Sequence, residues 1–325
     1  MHRQGQTIHI RHVTAAQNGD LHENAYGFNC LCRNGLNLFP DPLYTQSRIA
    51  AHPGRKTKDL TDISATSHSG EIIHFAAGKA RPGAVRITTP TRAALLADLG
   101  ACLQDGRGFS LATLNLDHAV KLRDDPAFRT AYLAQTHVVA DGNPIVWLCR
   151  LARYRVELIP GSEMVEPLTA LAAQHGRTVA LFGSTQDSLD LAAQRLETRH
   201  PGLKVVAKIA PPMGFDPMGE EAAQLLAGLH DSGAGLCFLA LGAPKQEILA
   251  ARAVDLVPGC GFASIGAGVD FIAGHQARAP VWVQKIAMEW FWRMMSNPKR
   301  LAARYAACFA ILPRLAVTAL KARGR

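Results

Sequence analysis

GLCFLALGAP, residues 235–244, is a short, nearly continuous apolar run that stops at a glycine turn and is followed by a helical pattern. The same phrase recurs along the chain as FSLATLN (109–115), HVVADG (137–142), TVALFGS (178–184), KVVAKIA (204–210) and GFASIGAG (261–268). Helical segments such as 186–199 and 220–232 lie between the runs. A strand with one wet face would alternate apolar and polar residues, and these do not. Strand-helix alternation with apolar strands implies a parallel sheet covered by helices on both faces, an open α/β fold. Such sheets bind ligands at the carboxyl ends of their strands, so the polar residues that close each run carry the functional interest.

The regular text spans about Val85 to residue 280. Residues 1–80 hold seven of the thirteen His and no sustained period, and read as a poorly ordered N-terminal extension. Residues 281–325 carry nine Lys or Arg, one acidic residue (Glu289) and three of the four Trp, so this tail supplies most of the net charge of +9. A segment both basic and aromatic suits an anionic partner, either substrate phosphates or membrane headgroups. Two helices are expected there: one over Val281–Met295, and a second with Asn297 as N-cap and Pro298 at its first position. Arg300 and Arg304 share one face of the second, beside a stripe of Tyr305, Phe309 and Leu312. The apolar stretch Tyr305–Leu320 is broken by Pro313 and Arg314, so no transmembrane helix is expected. The N-terminus lacks the apolar block of a secretory signal, which points to the cytoplasm. Seven scattered cysteines, with only Cys30 and Cys32 close together, suit that compartment and make no zinc site.

Asp141 ends HVVADG at the ligand edge, where a carboxylate acts as a general base or simply caps the helix from Pro144 onward. Thr113 and Asn115 close the preceding run at the same edge, as binders of ligand hydroxyls or as turn formers. After LALGA come Lys245, Gln246 and Glu247; the two charges also read as solvated residues opening a helix. The turns FGST, LGAP and IGAG bring backbone N–H groups toward a phosphate, yet none completes a Walker loop or G-x-G-x-x-G. There is no D-x-D pair, H-E-x-x-H or G-x-S-x-G, so no metal or cofactor is expected. A diphosphate leaving without a metal needs cations, for which Arg293, Arg300 and Arg304 are available; otherwise they tie the tail to a surface or to core carboxylates.

In order, TLNLDH (113–118), ADG (140–142), PGSE (160–163), ALFGS (180–184), GAPKQE (242–247), IGAGVDFIAG (265–274), RAPVW (278–282), EWFWR (289–293) and NPKRLAARY (297–305) resemble the bacterial WecG/TagA/CpsF glycosyltransferase family. The resemblance covers about Val85 to Tyr305. It implies a Rossmann-like core with a C-terminal helical appendage, and an inverting, metal-independent transfer from a UDP-sugar to a polyprenyl-diphosphate-linked saccharide at the inner face of the cytoplasmic membrane. By that likeness Asp141 is the base, Thr113, Asn115 and Gln246 line the sugar pocket with Lys245 beside them, and Arg293, Arg300 and Arg304 hold the donor diphosphate. One position departs: where family members often carry Arg, three residues before the Gly of PGSE, this chain has Leu158. A nucleotide-binding oxidoreductase is the alternative, weakened by the incomplete dinucleotide fingerprint. A nucleic-acid partner fits poorly with the apolar stripe among the arginines, and the apolar tail leaves room for a homo-oligomer.

Overall fold

The computed structural model describes residues 71–78, 80, 82–276, 280, 292, 295 and 298–323. Two short strands, β1 (Ile73–His74) and β2 (Val85–Arg86), pair in parallel. After them come α1 (Arg92–Asp105), β3 (Phe109–Leu114), α2 (Leu116–Asp124), α3 (Pro126–Ala134), β4 (His137–Ala140), α4 (Asn143–Leu151) and α5 (Gly161–Gln174). The second half holds β5 (Val179–Gly183), α6 (Gln186–Arg199), β6 (Val205–Ile209), α7 (Glu220–Asp231), β7 (Leu236–Ala240), α8 (Lys245–Leu256), β8 (Gly261–Ser264) and α9 (Gly268–Ala273). Last comes α10 (Pro298–Ala322).

Strands β3 to β8 form one sheet in the order β4-β3-β8-β7-β5-β6, and every neighbouring pair is parallel. The apolar runs are continuous because successive side chains enter different layers, both dry. Leu111, Leu181 and Phe238 join a core with Leu99 of α1, Leu168 of α5 and Leu196 of α6. Their neighbours Ala112, Phe182 and Leu239 face the other helices, α2 to α4 at one end of the sheet and α7 and α8 at the other. The expected parallel α/β sheet with helices on both faces is therefore present. KVVAKIA is less buried than its apolar text suggests: β6 is an edge strand, half-buried along its length, and Lys208 pairs with Asp190.

β1 lies ahead of the boundary near residue 80 suggested by composition, and Ile72, Ile73 and Phe75 are buried in the core beside α10. The expected helix over Val281–Met295 and the Asn297 cap lie outside the described residues. The second tail helix differs from its sequence reading, for α10 runs 25 residues straight through Pro313. A proline inside a helix forfeits one backbone bond and crowds the preceding turn, at about 3 kcal/mol. Here Cys308, Ile311, Leu315, Ala319 and Ala322 recur every three or four residues and bury one face against β1, α2 and α4, which offsets that cost. Uninterrupted by Pro313, Leu301–Ala322 is long and apolar enough to cross a membrane by length and composition alone, and it packs one face along the core.

Candidate active site

The tips of β4, β3, β8 and β7 are adjacent, and the polar residues singled out in the sequence gather on them. The Asp141 N–H donates to the Leu114 carbonyl at 2.8 Å, which extends the β3–β4 ladder by one residue and fixes Asp141 beside Asn115. Thr113, 4% exposed, donates its hydroxyl to Asp141 Oδ2 at 3.4 Å. The helix after Asp141 is capped by Gly142 with no side-chain bond, so Asp141 is not the cap. Gly142 has φ +105°, a region that favours glycine and turns the chain sharply behind the carboxylate.

Asn115 does cap: its Oδ1 accepts from the His118 N–H at 3.0 Å and starts α2. His118 is buried, and loss of water with the nearby Lys121 lowers its pKa to about 3, so the ring is neutral. Its Nδ1 is 2.7 Å from the Tyr132 hydroxyl and its Nε2 is 3.5 Å from Asn115 Nδ2. Asn115 is thereby held from both ends.

Gln246 is 3% exposed, and its Oε1 accepts from the N–H groups of Gly242 (3.2 Å) and Gly266 (3.3 Å). One amide thus staples the turns after β7 and β8 together. Its Nε2 donates to Glu247 Oε1 at 2.8 Å. Glu247 corrects its sequence reading: it is fully buried, because α8 packs this turn against α3 and the sheet. Burial pushes its pKa up to about 7, against the opposing bond from Gln246. Its Oε2 has no hydrogen-bond partner among the described residues. Lys245 opens α8 at the same edge and is half-buried.

Arg304 donates from Nε to Asp117 Oδ1 at 2.8 Å, while Lys121 pairs with Asp117 at 2.8 Å and donates to the Ala243 carbonyl at 3.0 Å. Burial raises the Asp117 pKa, and Lys121 and Arg304 more than reverse that and hold it below the usual carboxylate value. This cluster joins α2, the LGAP turn and α10, the structural use that the sequence left open for a tail arginine. Arg293 and the side chain of Arg300 lie outside the described residues. Two cations against one carboxylate leave a net positive charge at this edge of the site.

Two further features lie at this edge of the sheet. Leu158 lies alongside Ala140 at the outer edge of β4 and is 38% exposed, so the departure from the family pattern sits one residue from Asp141 across a β-bridge. Gly161, first in α5, comes so close that a Cβ there would lie 3.2 Å from the Thr113 hydroxyl and 3.1 Å from the Ser264 carbonyl. Farther along the edge, the Ser184 hydroxyl in the FGST turn donates to Asp270 of α9 at 2.5 Å. Asp117, Lys121, His118 and Asp270 were not singled out from sequence. Only the i, i+4 pair Asp117–Lys121 left a local signal.

A carboxylate held by a threonine, an asparagine fixed at both ends, an amide-stapled pair of glycine turns and a net positive cluster thus meet at one edge of the sheet. Residues 81–325, three quarters of the chain, match the model of the glycosyl transferase WecG/TagA/CpsF family. The chain therefore belongs to the WecG/TagA/CpsF glycosyltransferase family, and its activity is glycosyl transfer.

Proposed function

We propose that the protein moves a sugar, of N-acetylmannosamine type or glucose, from a UDP-sugar to a polyprenyl-diphosphate-linked saccharide in cell-surface polysaccharide biosynthesis, with inversion and without a metal. The observation that carries this reading is Asp141: a carboxylate at the tip of β4, beside Thr113 and Asn115 and facing the edge at which parallel sheets bind ligands. In the proposed reaction Asp141 accepts the proton of the acceptor hydroxyl as that oxygen bonds to C1 of the sugar. The C1–O bond to UDP breaks at the same time and its electron pair leaves on the diphosphate. A positioned base of this kind contributes about 10² to 10⁴-fold.

Charge appearing on UDP is met by Arg293 and Arg300, with Lys245 at the N-terminus of α8, in place of a D-x-D-bound metal, while Arg304 stays paired with Asp117 and acts through the surplus positive charge of that cluster. Thr113, Asn115 and Gln246 shape the sugar pocket. A peripheral location at the inner face of the cytoplasmic membrane follows from the lipid acceptor and from α10, whose outer side exposes Phe309, Val317 and Leu320 among basic residues. Each Lys or Arg near an anionic surface adds about 1 kcal/mol. In this reading residues 81–280 are the catalytic core, 281–325 the appendage and 1–80 an extension whose last part, β1, packs into that core.

The test is UDP release by the purified protein with a panel of UDP-sugars and a short-chain polyprenyl-diphospho-sugar acceptor, with and without EDTA. Acceptor-dependent release that survives EDTA supports the reading and names the donor. Release only with other nucleotide sugars, or abolished by EDTA, contradicts the donor or the metal-free leaving-group chemistry respectively.

A further inference from the structure

Behind the ligand edge, Glu247 is fully buried, and the reaction as written does not use it. A buried carboxyl loses the water that stabilises its charge, and one of its oxygens, Oε2, has no hydrogen-bond partner among the described residues. Lys121 and Asp117 of α2 act on it in opposite directions, and Tyr132 of α3, itself buried and neutral, brings no charge to balance it. A group that costs stability and stands beside a site points to function.

The other oxygen has a definite partner. Glu247 Oε1 accepts from Gln246 Nε2 at 2.8 Å, and Gln246 Oε1 accepts from the N–H groups of Gly242 at 3.2 Å and Gly266 at 3.3 Å. The Gln246 backbone N–H donates to the Gly242 carbonyl at 3.2 Å, so the turn after β7 is closed in both directions. Gly242 and Gly266 have φ of +72° and +56°, and a Cβ on either would meet nothing within 4 Å among the described residues beyond its chain neighbours, so both turns border open space. β8, which carries the second turn, is the sheet neighbour of β3, whose end holds Thr113 beside Asp141. Both glycine N–H groups point to the amide and not to a phosphate, which corrects the anion-binding reading of LGAP and IGAG at these two donors. An amide bonded only through its oxygen is free to swing about that end. Glu247 fixes the other end.

We propose that Glu247 is a positioning residue for glycosyl transfer, acting through Gln246 to hold the turns after β7 and β8 in place along the ligand edge. Being fully buried, it does this without touching substrate. The proposal rests on the transfer reaction set out above. A misplacement of about 1 Å at a site can reduce a rate about 10²-fold, so a bond behind the site is enough to matter.

The experiment compares Glu247→Leu, Glu247→Gln and Gln246→Met in acceptor-dependent UDP release, in thermal unfolding at about pH 8 and in amide hydrogen exchange of the two turns. Leucine removes a buried polar group at similar size, so the melting temperature of Glu247→Leu should be unchanged or raised. Its kcat should nevertheless fall at least about tenfold, whereas a purely structural role would lose stability and activity together. Glutamine keeps an accepting oxygen and should bring kcat back to within about threefold of the unsubstituted protein. Gln246→Met should lose at least as much as Glu247→Leu, and the two combined should lose no more than Gln246→Met alone, because they break one chain of bonds. Exchange at the Gly242 and Gly266 amides should be at least about tenfold faster in Glu247→Leu. Transfer within about twofold of the unsubstituted protein in Glu247→Leu, additive losses in the combined variant, or turns that exchange at the original rate overturn the assignment. The exchange arm uses no substrate, so the two readings separate. If no donor supports transfer, the reaction falls while faster exchange still supports Glu247 as the group that holds the turns; transfer that Glu247→Leu leaves intact removes the positioning role alone.

Discussion

Glu247→Gln should gain stability relative to the unsubstituted protein as pH rises from about 4.5 through about 7. The Glu247 carboxyl is fully buried, and loss of water raises its pKa from an ordinary 4.5 to about 7. Below 4.5 the proton is bound in both folded and unfolded chains, so the group adds no pH dependence. Between 4.5 and about 7 the folded protein keeps the proton while the unfolded chain releases it, and stability falls as pH rises. Above that window both forms are ionised and the loss is complete. The gap of about 2.5 units, at 1.36 kcal/mol each, gives a loss of about 3 kcal/mol. For a chain of this size that is a shift of roughly 6–12 °C in melting temperature. Glutamine keeps an oxygen that can accept from Gln246 Nε2 and does not titrate. Its extra buried N–H adds an offset that does not vary with pH, so the slope is the readout. Urea unfolding of both proteins from about pH 5 to about pH 8 should show the difference between them moving by about 3 kcal/mol in favour of the variant. Parallel stability curves across that range would refute the buried, proton-binding carboxyl.

Gly183→Ala should be strongly destabilising: φ is +107°, and a Cβ there would lie 2.6 Å from the backbone of Ala240 in β7. A loss of more than about 2 kcal/mol in urea unfolding is expected, and a loss within about 0.5 kcal/mol would contradict the close β5–β7 approach. Asn115→Asp retains the α2 cap, so stability should hold within about 0.5 kcal/mol while transfer falls; unchanged transfer would confine Asn115 to capping. Asp117→Asn and Arg304→Gln, combined in a double-mutant cycle, should show a coupling of about 1 kcal/mol. With its pKa held below the usual value, Asp117 contributes this stability above the ordinary carboxylate range and loses it as pH falls through the folded pKa. A zero coupling at neutral pH would detach Arg304 from the carboxylate.

The sheet was legible because its strands are dry on both faces: GLCFLALGAP and TVALFGS have no alternation to confuse with a one-sided sheet. The ligand edge followed from topology, and it brought Thr113, Asn115, Asp141 and Gln246 to neighbouring strand tips. What each does there was less legible. Asn115 and Asp141 both close an apolar run and precede a helix, yet Asn115 caps its helix and Asp141 does not, because Gly142 takes that position. Glu247 resembles any acidic residue in a first helical turn, and only the packing of α8 against α3 makes it buried. Pro313 reads as a break, but tertiary contacts on either side of it carry α10 through. The Asp117–Arg304 pair joins residues far apart in the chain, and no local pattern announces it.

The most direct test of the central claim is acceptor-dependent UDP release by Asp141→Asn, measured beside donor affinity and thermal unfolding. The account requires kcat to fall by about 10² to 10⁴-fold, with UDP-sugar binding and melting temperature unchanged, because asparagine keeps the shape and cannot take the proton. Transfer within a few-fold of the unsubstituted enzyme would contradict Asp141 as the base.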